Sequence, residues 1–389
     1  MKNKSKIKNI LTISLISATM TSGLQATEME NVAGLGVNTS RGIYSLSDSM
    51  YTRVGELLWQ YNNKENGINH KNNAFWAKTN IGRYTISRTG SNDNKVKNTL
   101  PVFEFGYDRM VFNGESGKGF VGALAQFSKS SPTATDRAKI KSDLDMRTKS
   151  LGLYGMWLGK GGYFADLVVR QHIIEQRADT LNVKYKSKQN ATTASLELGR
   201  ELVFGNGAKE LERYLAYKLI RVKDNNQGNK IAKSSVKALD DFINFKPEIA
   251  SNSCYGEYFF IPKIKFDVFH IGADKVNINN TSIKIRDNNT YTFSGGFMFG
   301  KRFMNLEDEN SLKTQFYGKV NYLYETNSQV KLTSDTLRDK IKNKGGRLEL
   351  GIGFDAKFNK MFSLYVDGTY QFNSDYKDLG ATIGGRWEF

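Results

Sequence analysis

Nucleophilic or acid–base catalysis needs an activated nucleophile, a base within hydrogen-bond reach and a group that orients that base. The chain offers three histidines, His70, His172 and His270. In Asp267-Val268-Phe269-His270 the acid and the imidazole are three residues apart, which on a strand means opposite faces. Ser195 and Asp166 fall in segments of strand character, without the strand–turn–helix elbow that exposes a serine nucleophile. There is no HExxH and no paired Cys/His metal spacing, and Gly117-Lys118-Gly119 reads as a hairpin turn rather than a phosphate loop. Cys254 is the single cysteine, so no intramolecular disulfide forms. These residues predict no enzyme, no metal site and no cofactor.

Charge gives no better lead to a soluble partner. The 56 Lys and Arg against 39 Asp and Glu leave a formal +17. The cations are scattered, many as Lys beside Asn, with no dense basic helix or aromatic–basic reader motif, so nucleic acid is not an expected partner. A Lys/Asn-rich composition with solvated loops accounts for the excess, and a positive exterior favours anionic lipid head groups.

The elements that must position these residues begin with an address. Lys2, Lys4, Lys6 and Lys8 precede a mild apolar stretch, Ile10 to Leu24, and Leu24-Gln25-Ala26 is a tolerable cleavage site. That order of regions predicts a secretory signal peptide over 1–26, read by the Sec translocon. An N-terminal anchor is the competing reading, weakened by the Ser and Thr that break a short core. Residues 27–45 are loose and polar, too short for a sizeable exported domain. Residues 46–60 predict one helix, with Ser47 or Asp48 as N-cap, Met50, Val54 and Leu57 on one stripe, and Arg53 with Glu56 on another face.

From Asn73 onward the period is two. Leu348, Leu350, Ile352, Phe354, Ala356 and Phe358 alternate with Arg347, Glu349, Gly351, Gly353, Asp355 and Lys357. Such runs of about 10–12 residues match a tilted membrane strand, and charges inside them suit a wet lumen. Mean hydropathy of −0.50 does not argue against this, because a barrel strand shows lipid only every second side chain. Twelve segments follow: 74–87, 101–113, 118–129, 147–158, 161–175, 189–202, 257–271, 289–303, 311–325, 346–358, 361–373 and 379–389. Tight turns at Asn113-Gly114-Glu115, Gly159-Lys160-Gly161 and Asn359-Lys360 oppose long polar loops at 88–100, 130–146, 176–188, 272–288 and 326–345. Residues 203–256 break the pattern, with helix-like stretches where a short turn is due. The fold class is therefore all-β: a transmembrane antiparallel barrel of about twelve strands over 73–389, in the outer membrane of a Gram-negative bacterium.

A helix over 46–60 is about 22 Å long at ~1.5 Å per residue, close to the ~25 Å height of a barrel wall. Tethered by Tyr61 to Asn72, it can plug the lumen; a surface position at the barrel mouth is the alternative. Inside, Glu104, Asp108, Asp166 and Glu349 are candidate partners for Arg53, and Lys263, Lys265, Arg347 and Arg386 for Glu56. Asp355 is a further lumen-facing charge. Trp387 and Phe389 make a bulky lipid-facing end at the periplasmic rim.

Six motifs in order carry a family resemblance. They are Ser49-Met50-Tyr51-Thr52-Arg53-Val54-Gly55-Glu56-Leu57, Phe75-Trp76-Ala77-Lys78 with Gly82, Phe105-Gly106-Tyr107-Asp108-Arg109, Leu153-Tyr154-Gly155-Met156-Trp157, Gly162-Tyr163-Phe164-Ala165-Asp166, and Gly384-Gly385-Arg386-Trp387-Glu388-Phe389. From about Ser47 to Phe389 the chain resembles the translocator β-domain of autotransporters, the type V secretion proteins. The resemblance implies a 12-stranded barrel crossed by a linker helix, exporting or displaying an N-terminal segment. It implies periplasmic chaperones and a barrel-assembly machinery that reads the terminal Trp387 and Phe389. A barrel-only surface adhesin or a porin-like protein is the alternative. The short segment before the helix, the lack of an Asn-Asn pair before Ser47 and the 203–256 insertion depart from the family pattern.

Overall fold

The computed structural model describes residues 50, 53, 73–89, 94–135, 141–179, 184–204, 254–278, 281–305, 312–326, 329–333, 338–342, 345–359 and 361–389. The signal-peptide region 1–26, the segment 27–45, residues 205–253 of the insertion, and the 46–60 helix apart from Met50 and Arg53 lie outside the described residues.

Twelve long strands make the wall: β1 (Asn73–Thr89), β2 (Asn94–Gly114), β3 (Gly117–Ser130), β4 (Lys141–Gly159), β5 (Tyr163–Asp179) and β6 (Lys184–Arg200) form the first half. The second half is β7 (Cys254–Ile271), β8 (Asn288–Asn305), β9 (Lys313–Thr326), β10 (Gly345–Lys357), β11 (Phe362–Phe372) and β12 (Tyr376–Glu388). Each pairs antiparallel with its neighbours in sequence, and β1 pairs with both β2 and β12. The sheet is thus closed and has no open edge within the wall, as the hydrocarbon core of a bilayer demands. The seam is sealed down to the last residue: Asn73 N donates to Phe389 O at 3.3 Å, and Phe389 N to Asn73 O at 2.9 Å.

Alternation sorts the side chains. In β6, Ser187, Gln189, Thr193, Ser195 and Glu197 are buried, while Lys188, Leu196 and Leu198 are exposed. The exposed face of the wall is apolar, including Ile352 at 74 % and Leu151 at 69 % relative exposure, which is the surface a lipid chain covers. Both chain ends of the barrel and the tight turns lie at one rim, the periplasmic one by that asymmetry. The β4–β5 turn needs glycine, because Gly161 (φ 76°) and Gly162 (φ 82°) both adopt the left-handed region. The β10–β11 turn is held by Asn359, whose Oδ1 accepts from Met361 N and Phe362 N, each at 2.8 Å.

Three expectations are corrected. Stretches 94–100, 141–146, 176–179 and 184–188, read as loop, continue the strands. The loops 272–288 and 326–345 contain hairpins, Asp274–Ile278 with Thr281–Ile285 and Gln329–Thr333 with Arg338–Lys342, that join into a separate four-stranded sheet. The reason is physical: above the lipid the outward positions turn polar, as at Lys95, Lys97, Lys186 and Lys188, so the ladder continues while the contrast between the two faces fades, and the hairpin strands are only five residues each. At the insertion, Leu202–Phe204 still belongs to the wall, pairing with Phe260, Phe259 and Tyr258 of β7.

Candidate functional site

The polar positions of twelve strands converge on the lumen, which is the only face where such charges can sit without meeting lipid. Glu104, Asp108, Asp166, Arg347, Asp355 and Arg386 are buried there, while Lys263, Lys265 and Glu349 are half-buried. The structure pairs them with specific neighbours. Arg386 clamps Asp108 with two parallel bonds of 2.8 Å, Nη1 to Oδ2 and Nη2 to Oδ1. Lys263 Nζ donates to Glu197 at 2.9 Å, Lys265 lies 3.0 Å from Asp267, and Arg347 Nη1 donates to Glu325 at 2.8 Å. Glu349 accepts from Asn321 and Gln371 at 2.7 Å each. Asp355 accepts a short bond from Gln315 Nε2.

Met50 and Arg53 lie among these inward groups. Arg53 is fully buried, and its Nη2 lies 2.5 Å from Asp166 Oδ2. Its guanidinium carbon sits 4.9 Å from the ring centre of Tyr154, a cation–π geometry. Met50 N donates to Glu197 Oε2 at 2.9 Å, and its side chain packs with Phe120, Met156, Leu158, Phe164, Phe259 and Ile261. Arg53 N donates back to Met50 O at 2.9 Å, closing one turn. Val54, Glu56 and Leu57 lie outside the described residues, so the partners expected for Glu56 are placed only relative to one another.

Glu104 is an expected lumenal charge and Lys78 a motif residue, but Gln126, Arg170, Lys319, Asp367, Tyr317, Arg302 and Glu201 are not singled out by the sequence. Glu104 accepts from Gln126 at 2.8 Å and Arg170 at 3.2 Å, with Lys78 Nζ at 3.7 Å. Asp367 accepts from Lys319 at 2.7 and 2.8 Å and from Tyr317 at 3.0 Å. Arg302 pairs closely with Glu201. Apart from Glu201, which directly follows β6, each occupies an inward position of its strand, so strand parity was the one available signal.

Trp76 and Tyr154, both motif residues, form a chain with the clamp. Trp76 Nε1 donates to Tyr154 Oη at 2.7 Å, and Tyr154 Oη donates to Asp108 at 2.8 Å. Their rings lie over inward glycines of neighbouring strands. A Cβ on Gly106 would stand 2.6 Å from Trp76 Cε2, and one on Gly122 would stand 2.6 Å from Tyr154 Cε1. These glycines are required for the close approach of ring to backbone.

Of the three histidines His70 lies outside the described residues, and His172 and His270 are structural in geometry. His172 is buried between Ser150 Oγ (2.7 Å from Nδ1) and Thr193 Oγ1 (3.0 Å from Nε2), with no carboxylate among these contacts to orient it as a base. Asp267 is buried while His270 is exposed and meets Asn289 at 2.7 Å, so the two lie on opposite faces. Phe389 and Trp387 are exposed at the periplasmic rim, with the Phe389 ring 6.5 Å from that of Tyr107.

Comparison with known proteins gives the arrangement a family. The model of the autotransporter beta-domain matches residues 75–230 and 250–369. The pertactin autotransporter of Bordetella bronchiseptica is 22 % identical over 349 residues, covering 87 % of this chain and 30 % of that protein. The chain therefore spans less than a third of the length of this curated relative. The beta domain of the Bordetella autotransporter Brka superposes with a TM-score of 0.56 at 19 % identity, covering 82 % of this chain and all of that one. The transport unit of AIDA-I from Escherichia coli reaches a TM-score of 0.62 at 13 % identity, covering 85 % of this chain and 96 % of that one. The fold is theirs, and family membership makes this a transport barrel of the outer membrane, surrounded by membrane lipid, and not an enzyme. The chain belongs to the autotransporter beta-domain family, as an outer-membrane translocator barrel.

Proposed function

We propose that the barrel exports or displays an N-terminal segment, and that the 46–60 region holds the lumen as a linker and plug. The observation that carries this reading is Arg53, buried against Asp166 while Met50 N donates to Glu197 on the neighbouring strand β6. A charged residue is kept off the lipid and off bulk water only if the chain around it runs inside the wall. Residues 1–26 act as the signal peptide for the Sec translocon in this reading. Periplasmic chaperones and the barrel-assembly machinery then deliver the barrel, with Trp387 and Phe389 as its recognised end.

The test uses Met50→Cys with Met156→Cys in a Cys254→Ser background, since both methionines share one buried cluster. Efficient disulfide formation, with low ion conductance in planar bilayers, supports a plugged translocator. Ready labelling of the residue-50 thiol by a bulky impermeant reagent, with no crosslink and high conductance, favours the porin-like alternative.

A further inference from the structure

We propose that the four-stranded sheet above β7–β10, together with the outer wall beneath it, binds the phosphorylated glycolipid of the outer leaflet. Two hairpins build the sheet, joined by the pairs Ile285↔Leu332 and Lys284↔Thr333 and by Arg286 N donating to Lys331 O at 3.0 Å. Strand pleat sends alternate positions to opposite faces. Among the residues whose side chains are described, one face takes Asp274, Val276, Ile283 and Ile285. The other takes Lys275, Asn277, Ser282, Lys284, Lys331 and Thr333, three lysines and no acid, and Arg286 extends it. Lys275, Lys284, Arg286 and Lys331 are exposed.

This segregation is not that of an ordinary solvated surface, which mixes both signs. The register even opposes like charges, Lys275 to Lys284. Directly opposed like charges destabilise a sheet unless an anion lies between them.

Position selects the anion. Asp274, on the apolar face, accepts a short bond from Ser187 Oγ, and Ser187 is an inward residue of β6. The apolar face, with Val276, Ile283 and Ile285 buried, therefore continues the lumen side of the wall. The cationic face continues the lipid side. On that side the wall changes from Leu196 and Leu198 to exposed Lys186 and Lys188 along β6, which marks the upper lipid boundary. Lower on the same side, a groove of about 460 Å³ runs across β6 to β9, lined by Leu196, Ile264, Phe266, Phe293 and Tyr322. Gly295 opens it: a Cβ there would meet Ile264 Cγ2 alone, at 3.9 Å. An acyl chain in the groove places its phosphorylated head against the cations, so both parts of one lipid are accommodated by adjacent surfaces. A soluble polyanion would use the sheet but leave the groove without a role.

The experiment takes the full-length protein, delipidated in mild detergent. It is incubated with phosphatidylcholine vesicles carrying either diphosphorylated lipid A or dephosphorylated lipid A with the same acyl chains. Retained lipid A per protein is then measured by mass spectrometry after re-isolation. The expected result is about tenfold greater retention of the phosphorylated form. Lys275→Gln, Lys284→Gln, Arg286→Gln and Lys331→Gln combined should abolish that preference with the heat-modifiable barrel unchanged, and Gly295→Trp should lower retention of both lipids. Equal retention of the two lipids by the unaltered protein overturns the proposal, and this arm decides alone if the fourfold variant does not fold. Unchanged retention by a folded fourfold variant overturns it as well. Binding of inorganic polyphosphate that displaces all lipid A would assign the face to a soluble polyanion and overturn the lipid assignment.

Discussion

Arg53 Nη2 lies 2.5 Å from Asp166 Oδ2, with both side chains buried inside the barrel wall. Breaking such a pair on one side leaves the other charge buried without its counter-ion, at about 3–5 kcal/mol, whereas replacing both by apolar groups of similar volume costs little. Asp166→Ala should therefore loosen the segment around Arg53 and raise single-channel conductance. Arg53→Met with Asp166→Leu should return conductance most of the way. A double variant as leaky as Asp166→Ala would show that the pair does not hold the segment.

The second prediction concerns closure. Arg386 of β12 and Asp108 of β2 meet across β1, bridging the seam where the first and last strands of the barrel come together. Arg386→Met should destabilise the barrel by about 3–5 kcal/mol, read as a lower temperature of the heat-modifiable mobility shift. Arg386→Lys keeps the charge but loses the fork, and should fall between the two.

Ring-over-glycine contacts give a third. Gly122→Val pushes a side chain into the Tyr154 ring, and overpacking of this kind costs about 1–3 kcal/mol. Gly155→Ala, on the strand that carries Tyr154, meets nothing within 4 Å and should be close to neutral. Urea unfolding of the two variants, in lipid or detergent, compares them directly; equal stability would remove the steric account.

Phe389 separates chemistry of assembly from chemistry of the fold. Its backbone seals the seam against Asn73, while its exposed ring points to lipid near Tyr107. Phe389→Ser keeps the backbone bonds, so refolding of the purified chain in detergent should be nearly unchanged. The same substitution should lower the amount of folded barrel in the outer membrane of cells at native expression. Deleting Phe389 removes both backbone bonds and should weaken both. Equal in-cell yield for Phe389→Ser and the unaltered protein would mean that the ring is not read during assembly.

The wall was legible in the residues themselves. Alternation in Leu350, Ile352 and Phe354 against Glu349, Gly351 and Gly353 is a local signal, because one side of each strand meets lipid and the other meets water. It located all twelve strands and set the inward parity of Asp108, Asp166 and Arg386. Parity says which face a residue occupies, but not which neighbour it meets. Asp108 and Arg386 are 278 positions apart, and they pair only because the sheet closes through β1. Glu197, Arg170, Asp367 and Lys319 looked like any other polar residue on an alternating strand until stagger and tilt put each beside a counter-ion. The hairpins above β7–β10 were missed for a related reason: each strand is only five residues long, too short for the alternation of Ile283 and Ile285 with Ser282 and Lys284 to stand out within a polar loop, and the cationic face of that sheet exists only through register between strands some fifty residues apart. Sequence thus determined the barrel, its inside and its outside, through short-range contrast between lipid and water. Pairing across the lumen and between loops was decided by the closed hydrogen-bond ladder, which alone fixes distances between residues remote along the chain.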